Sequence, residues 1–426
     1  MEKEERCDDE REDMRHNDAE SVVDRTVLRC CVLAISLSIV WLTVFFSLDL
    51  NTKVKGFVGA VGAIISFGCS SVPAKLPAAE RIGTFRFQIF VTAGNTSTSL
   101  ALAGLTLLTR PQLRSSVSLT PYGLLGALVL TATQCAAWPA VHRLGASVGP
   151  GIWCGVGMGT SFLWGVAVFH EDVRSLPAAV IAMALLVAGV ALTAASQANE
   201  DVLRGSWPRW TTARSERQKV PSSKLDETAL PLLPVEVPEE PTSTFAAFRT
   251  GVSFAVLTGL LDGTLMTAFT AYEKSKRGGS NGGLEYLSMS YLLSFGLALP
   301  MVALPVVTAA LQISERIVAH RGGCSSSSTK DALVRDPRPC ADTIVALTGI
   351  CSGFLWACGN FGSLHATLGL GQAIGFPLTQ VCVLVSAGWG IGAFGEIPSA
   401  TGRVLYAGAS VLVLGGAVLL ADQVSS

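Results

Sequence analysis

Charge is scarce in this chain. Of 426 residues only 15% are Asp, Glu, Lys or Arg, and the net charge is −1. No basic patch with interleaved aromatics is present, which excludes a nucleic-acid-binding surface. The motifs that carry enzyme chemistry are missing too. There is no nucleophile elbow, no zinc-peptidase His pair, no P-loop and no pair of acids at catalytic spacing, so neither an enzyme nor a cofactor is expected. Eleven cysteines occur, but none forms a Cys-x-x-Cys pair, which removes support for structural zinc and thioredoxin-like chemistry. Most sit in apolar segments as small packing residues. Cys324 and Cys340 share one loop and could pair if that loop faces an oxidising lumen.

Apolar sequence takes the place of charge. Half the residues are hydrophobic, the mean hydropathy is +0.48, and 43 glycines lie mostly inside the apolar stretches. Runs of about 20 apolar residues define an all-α integral membrane protein in a lipid bilayer. Residues 1–25 read as a disordered charged tail. The run 26–50 has no Ala-x-Ala site after it and reads as an extra N-terminal transmembrane helix. Five spans follow within 55–196, near 55–75, 87–108, 121–141, 148–169 and 177–196. Residues 197–245 are rich in Ser, Pro and charge and read as a flexible linker, since its prolines forbid helix. Five more spans follow within 246–421, near 246–272, 285–309, 343–366, 371–394 and 402–421. Lys and Arg favour a cytoplasmic tail and linker, but the remaining loops are nearly balanced.

The two sets of five are related. Trp164-Gly165…Phe169…Glu171 recurs as Trp389-Gly390…Phe394…Glu396, and nearly the same register aligns Gln134 with Asn360 and Leu144-Gly145 with Leu370-Gly371. Two equivalent halves in an apolar chain are the usual build of a carrier, with substrate bound where the halves meet. Glu171 and Glu396 read as structural markers at helix ends. Gly151, Gly155 and Gly159 share a helix face and read as a helix-packing lane.

Polar groups at membrane depth are few, and these are the site candidates. Gln134, Asn360, Thr379 and Gln380 offer donors and acceptors suited to sugar hydroxyls. Trp356 lies one turn before Asn360 and could stack on an apolar sugar face. Pro377 frees a carbonyl inside Gly375-Phe376-Pro377, the type of break at which carriers place substrate. Lys75 is a basic candidate facing the cavity. Asp262 is the one acid at membrane depth. Its charge costs several kcal/mol there unless it meets water or a partner, and protonation would relieve that cost, so it is assigned a proton-coupling role. The alternative for Asp262 is an acid binding substrate in a wet cavity.

These residues also carry a resemblance. Gly68…Val72-Pro73-Ala74-Lys75 followed by Phe87-Gln88, Ser352-Gly353…Trp356-Ala357…Gly359-Asn360, Gly375-Phe376-Pro377 and both Trp-Gly-x-x-x-Phe-x-Glu copies resemble motifs of the transmembrane protein 144 family. That family groups with bacterial glucose/ribose uptake proteins in the drug/metabolite transporter superfamily. The resemblance covers about 55–196 and 246–421. It implies ten transmembrane helices in two inverted five-helix repeats, cytoplasmic termini and a carbohydrate substrate. The chain departs from the pattern in three places: Gly263…Ala268 lacks the Val-Pro, Asp262 replaces an expected neutral residue, and Gln134 stands where the family prefers Asn. The extra helix at 26–50 would also put the C-terminus on the other side.

The expected function is therefore a carrier of a sugar or related polar metabolite working by alternating access. A non-transporting membrane scaffold or receptor with the same fold, or a nucleotide-sugar carrier, are the alternatives. A small molecule and the bilayer are the expected partners, and a homodimer is left open.

Overall fold

In hydrocarbon an apolar segment can satisfy its backbone only as a helix or in a closed barrel. In the computed structural model every apolar segment is helical. It describes residues 2–48, 50–76, 82, 84–203, 244–277, 285–322, 339–394 and 399–424. In chain order the helices are α1 (Glu2–Ser47), α2 (Thr52–Cys69), α3 (Thr84–Thr109), α4 (Pro121–Leu163), α5 (Leu176–Leu203), α6 (Thr244–Thr264), α7 (Thr267–Arg277), α8 (Glu285–Gly322), α9 (Pro339–Leu370), α10 (Gln372–Thr379), α11 (Cys382–Gly392) and α12 (Ala400–Ala421). Nine described stretches are long and apolar enough to cross a bilayer: Arg25–Ser47, Thr52–Lys75, Gly149–Val168, Leu176–Thr193, Phe248–Lys276, Glu285–Ile313, Thr343–Leu370, Gln372–Gly392 and Ala400–Ala421. The chain is an all-α, multi-pass integral membrane protein.

Local sequence sets several helix starts. Asn51 Oδ1 accepts from Val54 N at 2.9 Å before α2, and Ser399 Oγ accepts from Gly402 N at 2.9 Å before α12. Each cap satisfies one of the free amides of a first turn. Thr120 and Pro121 open α4 in the same way, with proline at a position where no donor is needed.

Four local expectations change. The charged tail is the helical start of α1, which runs unbroken from Glu2; its Glu and Arg are strong helix formers. The span expected at 87–108 is helical as α3, but Asn95 to Ser99 leave it less apolar than the nine stretches above, and Pro121–Ala137 is apolar but short. Both of these lie in helices that pack inside the bundle. Within the expected packing lane, Gly155 and Gly159 are also not where helices approach closely. Gly159 has open space beside it and Gly155 meets only Val187 Cγ1, 3.8 Å from where a Cβ would sit. The linker at 204–243, the Cys324 pairing and Glu396 lie outside the described residues.

Each half supplies five segments. In the first these are α2, α3, the two ends of α4, and α5. In the second they are α6–α7, α8, α9, α10–α11, and α12. Contacts between halves are reciprocal. Segment one of each half packs on segments three and four of the other: α2 on α9, α10 and α11, and α6 on α4. Segment two packs on segments two and three, and α5 packs on α12. Like segments run antiparallel. Gly296 of α8 lies over Ser99 and Leu100, while Arg110 at the end of α3 pairs with Glu285 at the start of α8. Likewise Gly189 of α5 meets Ala409 and Val413, and Gly416 of α12 meets Ala182 and Leu186. This is the pairing that two halves of opposite orientation produce. Small residues allow the closest approaches, as at Gly56 and Gly59 of α2 against Gly369 and Gly362 of α9.

The extra helix is docked. Trp41 Nε1 donates to Ser66 Oγ at 3.0 Å, Ser38 and Ser66 hydroxyls lie 3.1 Å apart, and Phe45 meets the His365 ring at 4.6 Å. Val27 and Cys30 pack near Val72 and Leu76, so α1 runs antiparallel to α2. At the other terminus Val424 bridges Val173, and Arg174 pairs with Asp422 at 3.3 Å. That terminus therefore lies at the face where α2 begins, and the start of the apolar part of α1 lies at the opposite face.

Candidate functional site

Two transmembrane segments of the second half are broken. The segment expected as one span at 246–272 stops at Thr264, turns through Leu265 and Met266, and restarts as α7 at Thr267. The segment expected at 371–394 stops at Thr379 and restarts as α11. Pro377 within α10 lacks the amide that would continue the ladder, and Gln380 N turns back to Pro377 O at 3.2 Å. Non-helical backbone at membrane depth persists only where it is buried in protein or lines a cavity.

The two breaks meet. Gln380 Nε2 donates to Asp262 Oδ2 at 3.1 Å, with both residues buried. Gly157 of α4 closes the third side, since a Cβ there would lie 3.2 Å from the same Asp262 oxygen. Asp262 is near the C-terminal end of α6, where the helix dipole disfavours negative charge. A charged hydrogen bond contributes about 1.5–3 kcal/mol, against about 2.5–3.5 kcal/mol for placing Asp at mid-bilayer. The two are comparable, so Gln380 offsets most of the cost but leaves no surplus. The thiols of Cys154 and Cys382 also meet across the halves beside this pair.

Three and four residues beyond Asp262, Leu265 and Met266 line a cavity of about 10 Å³ with Tyr291, Leu292, Phe295, Asn360 and Leu364. That is room for about one water molecule. Its polar lining is unsatisfied within the protein. Asn360 Oδ1 and Nδ2 and Tyr291 Oη are buried without a partner, as are Thr92 Oγ1, Asn95 Nδ2, Thr96 Oγ1, Ser288 Oγ, Ser363 Oγ, His365 Nε2 and Thr367 Oγ1. All of these belong to α3, α8 and α9. Each such atom costs about 1–3 kcal/mol unless a guest or water completes it. The Asn360 amide and Tyr291 hydroxyl lining this cavity could hydrogen-bond a hydroxylated guest, although the cavity itself has no room for a sugar.

The other sequence candidates fall in different places. Gln134 accepts from Gln88 Nε2 at 2.7 Å and so joins α4 to α3. Trp356 packs edge-on against Phe67, ring centroids 5.1 Å apart. Thr379 Oγ1 is committed to Phe376 O at 2.7 Å, and Pro377 is buried within α10. Lys75 stands on the 3-10 turn Pro73–Lys75, which packs on α1 and α9 at the end of α2. Thus Asp262 and Gln380 are joined directly, Asn360 faces the turn that follows Asp262, and Gln134 and Lys75 stand apart. Asn95, a further polar group at membrane depth in the sequence, has a buried Nδ2 without a partner, and Tyr291 joins Asn360 at the cavity. Asn95 opens a run of five small polar residues; Tyr291 has no sequence signal.

The first Trp-Gly-x-x-x-Phe-x-Glu copy binds the opposite half through each marked residue. Residues 164–168 form a π-helical turn, and Trp164 Nε1 donates to Thr264 Oγ1 at 3.1 Å. Lys274 Nζ donates to the Phe169 carbonyl. Glu171 then caps α10: Oε1 accepts from Gln372 N at 2.9 Å and Oε2 from Ala373 N at 2.8 Å. Two glycines permit this. Gly165 lies where a Cβ would stand 2.6 Å from the Ala373 Cβ, and Gly371 at φ 81° starts α10 in a conformation costly for other residues. The second copy mirrors the first tryptophan contact, with Trp389 Nε1 to Cys69 Sγ at 3.2 Å. Cys69 follows Gly68 as Thr264 follows Gly263. By the same alignment the counterpart of Asp262 is Phe67.

Around the Glu171 cap the two halves are tied at one face. Glu285 pairs with Arg110 and with Lys55 at 3.6 Å, all half-buried. Among the described residues no group of three His, Cys, Asp or Glu side chains converges to hold a metal.

Comparison with known proteins bears on the second half of the chain. Residues 247–422 match the family model described as sugar transport protein. No curated protein and no solved structure matches the chain. The matched region contains Asp262, Tyr291, Asn360 and the whole of α10. Together with the nine apolar helices it supports a membrane sugar transporter.

Proposed function

We propose that the chain carries a sugar, or a closely related small polar metabolite, across the membrane by alternating access, with Asp262 coupling that movement to protons. The observation that carries this reading is the hydrogen bond between Gln380 and Asp262, because it joins two helix breaks at membrane depth. A substrate entering between α3, α8 and α9 would satisfy the unpartnered amides and hydroxyls there. Protonation of Asp262 would remove its charge, weaken its hold on Gln380 and let α10 move. The moving units are the halves at 55–196 and 246–421, joined by 197–245.

Purified protein in liposomes, loaded and tested for counterflow with labelled monosaccharides and with nucleotide-sugars, tests the proposal. Saturable counterflow of a monosaccharide is the expected result. Counterflow of nucleotide-sugars alone would shift the cargo. Silence across both panels from folded protein would point to a scaffold that keeps the transporter fold.

A further inference from the structure

Glu171 does more than end a helix. Its carboxylate crosses from one half to the other and takes the first two free amides of α10. All eight residues of α10 are buried, and just beyond its other end Gln380 holds Asp262. Backbone geometry is spent on the placement. His170, immediately before Glu171, has φ 50°, a left-handed conformation that a non-glycine residue seldom adopts. A π-helical turn precedes it, and Glu171 N is tied back to Gly165 O at 3.0 Å. Strained backbone of this kind persists where the surroundings over-determine it, and it clusters at switches. On the facing side Gly371 is left-handed as well, so both strands of the junction are bent to bring carboxylate and amides together.

We propose that Glu171 is a positioning residue that latches α10 across the two halves, so that this face opens only when the carboxylate releases Gln372 N and Ala373 N. Release frees the N-terminal end of α10, and the short helix transmits that movement to Gln380 beyond its other end, loosening the contact with Asp262. The inference rests on the alternating-access reading, but its test needs no substrate.

The test uses the full chain in lipid nanodiscs, with native cysteines as reporters. Cys154 and Cys382 meet across the halves close to Gln380, whereas Cys30 of α1 is buried in a cluster with Val72 and Leu76 that includes no residue of α10. N-ethylmaleimide labelling is followed at each site by peptide mass spectrometry, alongside hydrogen exchange over 372–380. For Glu171→Ala the latch predicts at least about tenfold faster labelling of Cys154 and Cys382, the change expected from losing a charge-assisted cap. Cys30 should be unchanged. Glu171→Gln keeps one carbonyl acceptor and should fall between wild type and alanine. It decides the matter if the alanine variant does not fold. Faster exchange at 372–373 with no change at Cys154 and Cys382 in either variant would reduce Glu171 to a static cap and overturn the latch. Equal increases at all three cysteines in the glutamine variant would overturn it as well. A latch that behaves as described in a protein with no counterflow would instead fail the transport reading alone.

Discussion

Replacing Asp262 by asparagine removes one charge at membrane depth while leaving a carbonyl oxygen to accept from Gln380 Nε2, now 3.1 Å from Oδ2. The magnitude follows from the surroundings. The variant loses the difference between a charged and a neutral hydrogen bond, about 1 kcal/mol. It also loses a carboxylate insertion cost of about 2.5–3.5 kcal/mol. The variant should therefore be at least as stable as wild type, which thermal unfolding in detergent would register as an equal or higher Tm. Its transport should change in a specific way. With one proton per cycle, a pH difference of about one unit sustains at most about tenfold accumulation, equivalent to about 1.4 kcal/mol. Liposomes with an imposed pH gradient should show that accumulation for wild type. Asp262→Asn should bring it to equality inside and out while counterflow without a gradient continues. A variant that still accumulates substrate tenfold, or whose transport keeps its full pH dependence, would refute the role of Asp262 in coupling.

The remaining predictions concern its neighbours. Gln380→Leu strips Asp262 of its donor and should destabilise the protein by about 1–3 kcal/mol, with Asp262→Asn restoring most of the loss in the double variant. Asn360→Leu removes two unsatisfied buried atoms, so thermal unfolding should show unchanged or higher stability while monosaccharide counterflow falls at least about tenfold. Gly371→Ala puts a Cβ 2.8 Å from Glu171 Oε2 at φ 81°, and should cost about 1–3 kcal/mol in unfolding and mimic Glu171→Ala in hydrogen exchange over 372–380.

Helix existence was legible in the sequence because hydropathy reports burial in lipid directly. The places where helices stop were not. Pro377 announced one break, but the stop at Thr264 contains no proline, and is held by tertiary contacts such as Trp164 on Thr264. Asp262 stood out because a charge among apolar residues is visible in one dimension. Its link to Gln380 joins positions 118 apart in the chain, and no local pattern encodes that pairing. The repeated motif marks two related halves in the sequence, but for Glu171 it gives a helix end alone. Its partners are backbone amides, which leave no trace in side-chain identity. Gln134 likewise stands out in the sequence only as an amide at membrane depth, and its bond to Gln88, 46 positions away, is written in no local pattern.

The antiparallel docking of α1 against α2, through Trp41, Ser38 and Ser66, has a practical consequence for anyone handling this protein. Residue 25 and Val424 emerge on opposite sides of the bundle. With α1 spanning the bilayer as its length and apolarity allow, tags attached at the two ends would sample different compartments. A protease added to sealed vesicles would remove one and spare the other, and a pH-sensitive fluorophore at each end would read two different solutions at once.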